Sequence, residues 1–351
     1  MSIFGGTMTA SYHKYILNFK RPSGTSRGIL KTKETWFLRI QENEKTGIGE
    51  CGILRGLSID DRPEYESKLK WLCQNIDKPF KELKEALTEF PSIKFGLEMA
   101  FKSLHSETSF ELFPTNFTES KDAIPINGLV WMGTETFMKE QIKEKIDAGF
   151  NCIKMKIGAI DFQTEIDLLK SIRKEFSSKD IELRVDANGA FDFKDALGKL
   201  NILSELDLHS IEQPIKVGNF QEMASLCSKT PLPIALDEEL IGLFSVTKKQ
   251  EMLQTINPHY IILKPSLVGG FEESNAWIDL AEKQGVEWWI TSALESNVGL
   301  NAIAQYTYTK HSTMPQGLGT GGLFTNNFEC PLYVEKGTLN YDSLKQWNFN
   351  L

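Results

Sequence analysis

The sequence lacks the features that mark several specialised classes of protein. No apolar run approaches the ~20 residues that a membrane-spanning helix needs. Basic residues are in deficit, because 39 Lys and Arg stand against 47 Asp and Glu for a net charge of −8. This balance argues against a nucleic-acid surface or a polybasic membrane anchor. The N-terminus has no basic segment followed by an apolar core, so we expect no secretory signal and a cytoplasmic protein.

Cysteine and histidine are scarce, and neither shows the spacing of a metal site. Zinc sites and disulfide frameworks need closely spaced or paired cysteines. The five histidines form no HExxH or HxH pattern. We therefore expect neither zinc chemistry nor a disulfide scaffold, but reduced and mostly packed thiols. The five cysteines are Cys51, Cys73, Cys152, Cys227 and Cys330.

The sequence does have two regimes of predicted secondary structure. Up to residue 117, strand-like runs such as Thr35–Ile40 mix with helical stretches, which indicates an α+β unit. From Ile124 onward, short apolar runs alternate with amphipathic helices, as parallel βαβ units do. Eight such strands with seven helices predict a (β/α)7β barrel of the TIM type, although an open doubly wound sheet alternates too. We predict an α+β capping domain (1–117, completed by the C-terminal tail 323–351) and a barrel catalytic domain (118–322).

Charged residues recur at the C-terminal ends of the predicted barrel strands. From Lys156 onward their intervals are 30, 26, 25, 27 and 31 residues, each about the length of one βα unit. Active sites of such barrels lie at the C-terminal face, so these side chains are predicted to share one mouth. Lys154 and Lys156 are two residues apart in a strand and point the same way. The set is Lys154, Lys156, Asp186, Glu212, Asp237, Lys264 and Glu295.

The residue types in this set indicate metal-assisted proton transfer. Asp186, Glu212 and Asp237 would repel one another strongly without a cation. Oxygen ligands without His or Cys favour a hard ion, Mg²⁺ before zinc. The lysines lie on strands before and after the acidic trio, and a lysine beside a cation is a usable base. Such a site can remove a proton next to a carboxylate while the metal stabilises the enediolate charge.

Each charged residue also has a structural interpretation when taken alone. A single Asp or Glu at a strand end is usually a helix cap or a solvated loop charge. Asp237 and Glu238 could cap the next helix, and Lys154 could be a structural ion-pair partner. The regular spacing of the whole set favours the catalytic interpretation.

At this point the sequence resembles the enolase superfamily, in its muconate-lactonizing-enzyme-like subgroup, over nearly the whole chain. The resemblance implies that Lys156 is an acid/base, that Asp186, Glu212 and Asp237 bind Mg²⁺ (with Mn²⁺ as a possible substitute), and that Lys264 lies across the substrate. It also implies that a loop of the capping domain closes the mouth. The matching motifs are KMK (154–156), VDANGAF (185–191), IEQP (211–214), ALDEE (235–239) and LKPSLVGG (263–270).

Finer motifs are similar to the o-succinylbenzoate synthase family of menaquinone biosynthesis. They are SRG (26–28), GECGILRGLS (49–58), SALESNVGL (292–300) and GLGTGGLFTNN (317–327). The resemblance implies a lyase that dehydrates 2-succinyl-6-hydroxy-2,4-cyclohexadiene-1-carboxylate to 2-succinylbenzoate. We expect a small-molecule carboxylate substrate, no nucleic-acid or membrane partner, and an oligomeric state that the sequence does not decide. The further residues expected to contact or support the substrate are Lys154, Asn188, Glu238, Ser292, Glu295, Gly319, Arg27 and Gly56.

Two alternatives stay open at the level of sequence. The first is an N-acylamino-acid racemase or dipeptide epimerase on the same scaffold, with both lysines as bases. The dipeptide epimerases of this subgroup carry a DxD motif on strand eight, whereas this sequence reads GLGTGG there, without a carboxylate. The second alternative is a barrel that only binds a ligand, with structural charges; the presence of all three ligands and both lysines argues against it.

Overall fold

We describe the fold from a computed structural model of the chain, in which residues 8–25 and 28–351 are described. An N-terminal sheet with three helices is followed by a barrel of alternating strands and helices. The strands are β1 (Thr9–Thr25), β2 (Gly28–Glu42), β3 (Lys45–Gly52), β4 (Ile124–Pro125), β5 (Gly128–Val130), β6 (Cys152–Lys156), β7 (Glu182–Asp186), β8 (Ser210–Glu212), β9 (Ile234–Leu236), β10 (Tyr260–Leu263), β11 (Glu287–Ile290), β12 (Leu332–Glu335) and β13 (Thr338–Tyr341).

The helices follow the order that the alternating pattern predicts. The first three belong to the N-terminal α+β part, and the rest follow successive barrel strands. They are α1 (Tyr65–Gln74), α2 (Phe80–Ala86), α3 (Pro91–His105), α4 (Glu135–Asp147), α5 (Phe162–Glu175), α6 (Phe193–Ser204), α7 (Phe220–Lys229), α8 (Val246–Ile256), α9 (Pro265–Val268), α10 (Phe271–Lys283) and α11 (Asn297–Tyr308).

The N-terminal sheet has the antiparallel order β1-β2-β3, and the alternation of β2 explains its two faces. Trp36, Leu38 and Ile40 point to the face that packs on α1 and α3. Phe37 points the other way and contacts Phe328 and Phe349 of the C-terminal tail, each with ring centroids 5.3 Å apart. The sheet therefore has an apolar core on each side.

The long first strand is a feature that the sequence analysis did not identify. Its segment Tyr12–Lys20 mixes polar and apolar side chains without strict alternation and carries two lysines, so it lacks the strongly apolar signal of Thr35–Ile40. It pairs with β2 along nearly its whole length, with a register shift between Asn18 and Ser23. The extent of this strand depends on its pairing with the buried strand β2. The local sequence pattern of β1 does not contain this information.

The barrel confirms the predicted fold class. Seven parallel strands lie in the order β11-β10-β9-β8-β7-β6-β5. Gln316 and Gly317 close the ring, because Gln316 bridges to Ile126 and Gly317 bridges to Thr291, both in parallel. The weakly predicted eighth strand is thus present only as these two bridges, but it joins the first barrel strand to the last.

The C-terminal tail returns to the N-terminal part of the chain. Strand β13 pairs antiparallel with β12 and with β4, and the Tyr15 and Phe328 rings lie 5.2 Å apart. The tail thus contacts both predicted domains, since β4 lies in the range 118–322 and Tyr15 in the range 1–117. The domain boundaries, and the completion of the capping domain by the tail, stay a prediction. In residues 8–25 and 28–351, no helix is both long enough and apolar enough to cross a membrane.

The seam where Gln316 and Gly317 close the barrel depends on one buried side chain. Gln316 is fully buried, its Oε1 accepts a hydrogen bond from Ile290 N at 2.7 Å, and its Nε2 donates to Met314 O at 2.7 Å. Gln316→Ala would leave the Ile290 N–H without a partner and open a cavity. We expect the free energy of unfolding to fall by about 2–4 kcal/mol, measured by urea titration.

A matched control is Gln163→Ala on the exposed face of α5, where the side chain only bonds Asp167. This variant should stay within about 0.5 kcal/mol of the parent. Equal stability of the two variants would show that the seam does not depend on Gln316.

Candidate active site

The barrel register brings the charged residues to one face. Lys156, Asp186 and Glu212 are the last residues of β6, β7 and β8, and they stand side by side in the parallel register. Asp237 and Lys264 directly follow β9 and β10. Because parallel strands end at the same rim, all five side chains meet at the C-terminal mouth, as predicted.

Each carboxylate of the trio is paired with a lysine. Lys154 Nζ lies 2.9 Å from Glu212 Oε2 and 3.9 Å from Asp186 Oδ2, so this ammonium contacts two carboxylates. Lys156 Nζ lies 2.8 Å from Asp186 Oδ2, and Lys264 forms an ion pair with Asp237. The carboxylates are 1%, 0% and 3% exposed, so their charges must be balanced inside the protein.

Burial and the neighbouring charges shift several pKa values. Burial alone would raise the pKa of Asp186, but Lys156 and Lys154 outweigh it and hold that pKa well below its usual range. Burial raises the pKa of Glu212 to about 7, against the opposing effect of Lys154. For Lys264, burial lowers the pKa, but Asp237 and then Glu238 raise it well above normal.

Lys154 is held in its charged form by the same carboxylates. Burial would lower its pKa, but Glu212 and Asp186 outweigh that effect and raise it. Its ammonium is hydrogen-bonded to Glu212 and almost fully buried. These features agree with the structural interpretation of Lys154, as a fixed positive charge beneath the carboxylates.

The carboxylate trio fits a hard divalent cation in its chemistry. In the described part of the chain, no three His, Cys, Asp or Glu side chains are grouped closely enough to hold a metal ion. Each carboxylate of the trio is instead paired with a lysine. Glu212 Oε1 is nevertheless buried without a hydrogen-bond partner. The neighbouring Asp186 and Asp237 also raise the pKa of Glu212, which indicates unbalanced negative charge. Asp186, Glu212 and Asp237 are therefore the residues that could hold Mg²⁺.

A cavity of about 370 Å³ opens above these groups. Lys154, Lys156, Asp186 and Lys264 form its charged floor. Its wall is largely apolar and combines barrel loops with the N-terminal sheet and its loops. The apolar wall residues include Leu30, Leu54, Leu57, Trp131, Phe137, Leu294 and Leu323. A volume and lining of this kind suit a small carboxylate with a hydrophobic body.

Four of the predicted supporting residues line this cavity, namely Lys154, Asn188, Ser292 and Gly319. Asn188 lines it, accepts a hydrogen bond from Lys156 Nζ at 2.8 Å and donates to Glu238 Oε1 at 3.0 Å. Ser292 and Gly319 also line it, and Ser292 Oγ lies 2.6 Å from Thr320 Oγ1. Asp237 makes no helix-capping bond through its side chain, so its carboxylate is free for Lys264 or a cation.

Three of the predicted residues, Glu238, Glu295 and Gly56, are not part of the cavity lining. Glu295 is fully buried, and its carboxylate accepts from Ser266 Oγ and Ala293 N instead of facing the cavity. It comes five residues after the end of β11, in a loop, so it does not continue the row of strand-end charges. Its predicted role in supporting the site stays a prediction. Gly56 is exposed and donates its N–H to Asp61; Leu54 and Leu57 of the same loop reach the cavity instead. Arg27 lies outside the described residues.

Trp131 and Thr320 also line the cavity, although the sequence pattern did not lead us to predict them. Trp131 follows β5 directly, and its ring centroid lies 6.0 Å from Lys156 Nζ. Gln141 holds it by accepting from Trp131 N at 2.9 Å and donating to Trp131 O at 3.0 Å. Applying the strand-end rule to uncharged residues would have found Trp131 in the run IPINGLVW.

The backbone is strained where it leaves the barrel strands. Asn188, Gln213 and Leu294 have φ of 43°, 38° and 62°, in the left-handed region that non-glycine residues rarely adopt. They follow β7, β8 and β11, and Asn188 and Leu294 line the cavity. Conformations of this kind cost about 1–3 kcal/mol and persist only where surrounding contacts hold them, often at functional sites.

Family models match both parts of the chain. The "Enolase C-terminal domain-like" model matches residues 137–341, which is more than half of the sequence. The "MenC, N-terminal domain" model matches residues 8–104. The first match covers the barrel from α4 onward, and the second covers the N-terminal sheet with its helices.

Individual proteins agree with these matches. The chain is 46% identical to o-succinylbenzoate synthase from Desulfotalea psychrophila, over 95% of this chain and 98% of that protein. It is 28% identical to N-succinylamino acid racemase from Thermus thermophilus, over 78% of this chain and 75% of that protein. The crystal structure of MenC from Desulfotalea psychrophila matches with a TM-score of 0.85 and 42% identity, covering 95% of this chain and 99% of that one. This chain therefore belongs to the enolase superfamily, in the branch that carries the MenC N-terminal domain.

Proposed function

We propose that this enzyme is an o-succinylbenzoate synthase, which dehydrates 2-succinyl-6-hydroxy-2,4-cyclohexadiene-1-carboxylate to 2-succinylbenzoate in menaquinone biosynthesis. The observation that carries the proposal is the placement of Lys156 and Lys264 at the cavity floor, where each forms an ion pair with a carboxylate of the buried trio. The 46% identity to an o-succinylbenzoate synthase over nearly the full length of both chains supports the choice of reaction.

Lys156 is the proposed acid/base. As a free amine it removes the proton from the ring carbon that bears the carboxylate. The bond between the neighbouring carbon and its hydroxyl group then breaks, and the Lys156 ammonium returns its proton to the departing hydroxide as water. The ring becomes aromatic and Lys156 is regenerated, so atoms and protons balance. Hydrogen bonds to Asp186 and Asn188, both at 2.8 Å, hold Nζ at the cavity floor.

We propose that Asp186, Glu212 and Asp237 hold Mg²⁺, with Mn²⁺ as a possible substitute. Enzymes of the superfamily generally use Mg²⁺, and the all-oxygen donor set suits it. A cation held by these three residues would supply positive charge that stabilises the negative charge of an enediolate. Lys264, whose pKa is raised by Asp237 despite burial, stays protonated and stabilises the same developing charge from its own strand end.

Counted over the trio in its ionised form, its three lysines and the proposed cation, and without the neighbouring Glu238, the charges leave one positive charge for a substrate carboxylate. The trio contributes three negative charges, and the two lysines with raised pKa, Lys154 and Lys264, contribute two positive charges. A divalent cation adds two more, so with Lys156 as a neutral amine one positive charge is left over. A single bound carboxylate neutralises it, which matches a substrate whose reacting carbon bears a carboxylate.

An N-acylamino-acid racemase activity is the second candidate function. Both lysines that a two-base racemase needs line the cavity, and the relative from Thermus thermophilus is an N-succinylamino acid racemase. A dipeptide epimerase is disfavoured, because the strand-eight segment 317–322 carries no carboxylate for a substrate ammonium. A barrel that only binds ligands is disfavoured too, because three buried ion pairs are costly without a catalytic role.

We place the reaction in the cytoplasm. All five cysteines are free thiols, with Cys51, Cys152, Cys227 and Cys330 buried, as a reducing compartment favours. A small carboxylate is the expected partner, and the net charge of −8 gives no support for nucleic-acid binding.

Removing Lys156 tests the proposed base. Lys156→Ala should lower kcat for dehydration roughly 10³-fold or more, since the proton then has no positioned acceptor. The loss of cyclohexadiene absorbance measures the rate. Thermal unfolding should stay cooperative, because the substitution removes little core volume. The control is Lys170→Ala on the exposed face of α5, which should keep the parental rate; a rate near that of the parent in Lys156→Ala would refute the assigned role.

Substitution of a proposed ligand tests the metal site. Asp186→Asn should weaken Mg²⁺ binding roughly 10- to 100-fold, because a buried charged ligand becomes neutral. Isothermal titration calorimetry with Mg²⁺ alone measures the affinity without requiring turnover. Asp195→Asn, on the exposed start of α6, is the matched control and should bind as the parent does. Unchanged affinity in Asp186→Asn would remove this residue from the ligand set.

A further inference from the structure

A second buried charge cluster lies between the N-terminal sheet and the barrel. It consists of Lys33 on β2, Glu50 on β3 and Glu295 in the loop after β11, and we call it the Lys33 cluster. These residues are 4%, 0% and 0% exposed, respectively. None of them lines the cavity, and the proposed reaction does not use them directly. Three buried charges without a chemical role are costly, so their retention calls for another reason.

Glu50 connects the sheet to a barrel helix. Its carboxylate accepts from Thr35 Oγ1 at 2.8 Å within the sheet. It also accepts from Ser296 N at 2.9 Å, Ser296 Oγ at 2.6 Å and Gly299 N at 2.8 Å, at the start of α11. A carboxylate at a helix N-terminus is stabilised by the free N–H groups and the helix dipole. Gly299 permits this approach, because a Cβ there would lie 2.8 Å from Glu50 Oε2.

Glu295 ties together two loops that build the active site. Its Oε1 accepts from Ser266 Oγ at 2.6 Å, and Ser266 lies two residues after Lys264. Its Oε2 accepts from Ala293 N at 2.7 Å, and Ala293 lines the cavity. Leu294, between Ala293 and Glu295, has the strained φ of 62°. One carboxylate therefore holds both the loop that begins with Lys264 and the strained loop after β11.

Lys33 supplies the positive charge to both carboxylates without a direct bond to either. Its Nζ is buried and has no hydrogen-bond partner in the described residues, yet it lowers the pKa of Glu295, which burial as the largest effect raises. A Cβ on Gly52 would lie 2.7 Å from Lys33 Nζ and 3.7 Å from Glu50 Oε1. The absence of a side chain at Gly52 thus leaves room for the ammonium beside Glu50.

We propose that Lys33, Glu50 and Glu295 are positioning residues for the reaction, which lock the loops carrying Lys264 and Ala293 onto the N-terminal sheet. The inference rests on the role proposed for Lys264 in catalysis. The same sheet continues from Gly52 into the loop with Leu54 and Leu57, so the cluster also fixes the apolar wall relative to the charged floor. Weakening it lets the Lys264 ammonium move relative to the substrate carboxylate.

The chain offers a matched control in Glu98. Glu98 on α3 is 7% exposed, and it accepts from Phe271 N at 2.6 Å at the start of α10. It is therefore also a buried carboxylate of the N-terminal part that caps a barrel helix. Within the described residues, its hydrogen bonds come from Phe271 N and Glu272 N and not from Ser266 or Ala293. Glu98→Gln should cost stability in the same way as a cluster variant but leave the site geometry intact.

The experiment compares Lys33→Met, Glu295→Gln and Glu98→Gln at a single pH of 8, with kcat, KM and thermal unfolding measured for each. We expect the two cluster variants to lose roughly 10- to 100-fold in kcat with little change in KM. We expect kcat to fall without a change in KM because Lys264 stabilises charge that develops in the transition state and not in the bound substrate. Glu98→Gln should lower the unfolding temperature while its kcat stays within about twofold of the parent.

The outcomes separate the inference from the proposed function. Parental kcat in folded Lys33→Met and Glu295→Gln, with Lys264→Ala inactive, would overturn the inference and leave the function standing. If the parent protein had no dehydratase activity, both the proposed function and this inference would be refuted. Should the cluster variants fail to fold, Ser266→Ala and Gly52→Ala are gentler tests. Ser266→Ala removes one bond to Glu295 and Gly52→Ala displaces the Lys33 ammonium, so each should lower kcat; parental kcat in both would overturn the inference.

Discussion

The structure depends on the burial of three carboxylates at the mouth of the barrel. Asp186, Glu212 and Asp237 are almost fully buried, where an unbalanced charge would be costly. Three lysines on strand ends of the same barrel balance them in the described structure. Under the proposed function, these carboxylates would hold a divalent cation, and Lys156 would then act as the base. Catalytic potential and structural charge balance are thus two aspects of one constraint.

The parallel register turns this constraint into a site. Neighbouring strands place Lys156, Asp186 and Glu212 in one row, so a shift of one residue would turn each side chain to the opposite face of the sheet. The N-terminal sheet and its loop then form an apolar lid, which is the part of the cavity wall that faces the charged floor of the barrel. Its loop contributes Leu54 and Leu57 to the cavity, and the Lys33 cluster joins this lid to the loops that follow β10 and β11.

Much of this arrangement could be predicted from the sequence, because period and spacing are local properties. The alternation of apolar runs and helices predicted the barrel, and the regular intervals predicted that Lys156, Asp186, Glu212, Asp237 and Lys264 converge. Glu295 had the same spacing but accepts hydrogen bonds from Ser266 and Ala293 of two barrel loops, because it lies in a loop where the strand rule no longer fixes the direction of a side chain. The length of β1 depends on its pairing with β2, so the local pattern of β1 did not reveal it. Trp131 directly follows β5, but the strand-end rule was applied to charged residues alone and therefore left it out.

The central claim is that the floor of carboxylates and lysines performs metal-dependent dehydration and not mainly racemisation. The most direct measurement is a paired assay of the purified protein, with Mg²⁺ and with EDTA. One arm follows loss of the cyclohexadiene absorbance of the synthase substrate, and the other follows deuterium incorporation into N-succinyl amino acids. The account predicts fast, EDTA-sensitive dehydration with slow or no exchange. Fast exchange without dehydration, or dehydration that EDTA leaves unchanged, would contradict it.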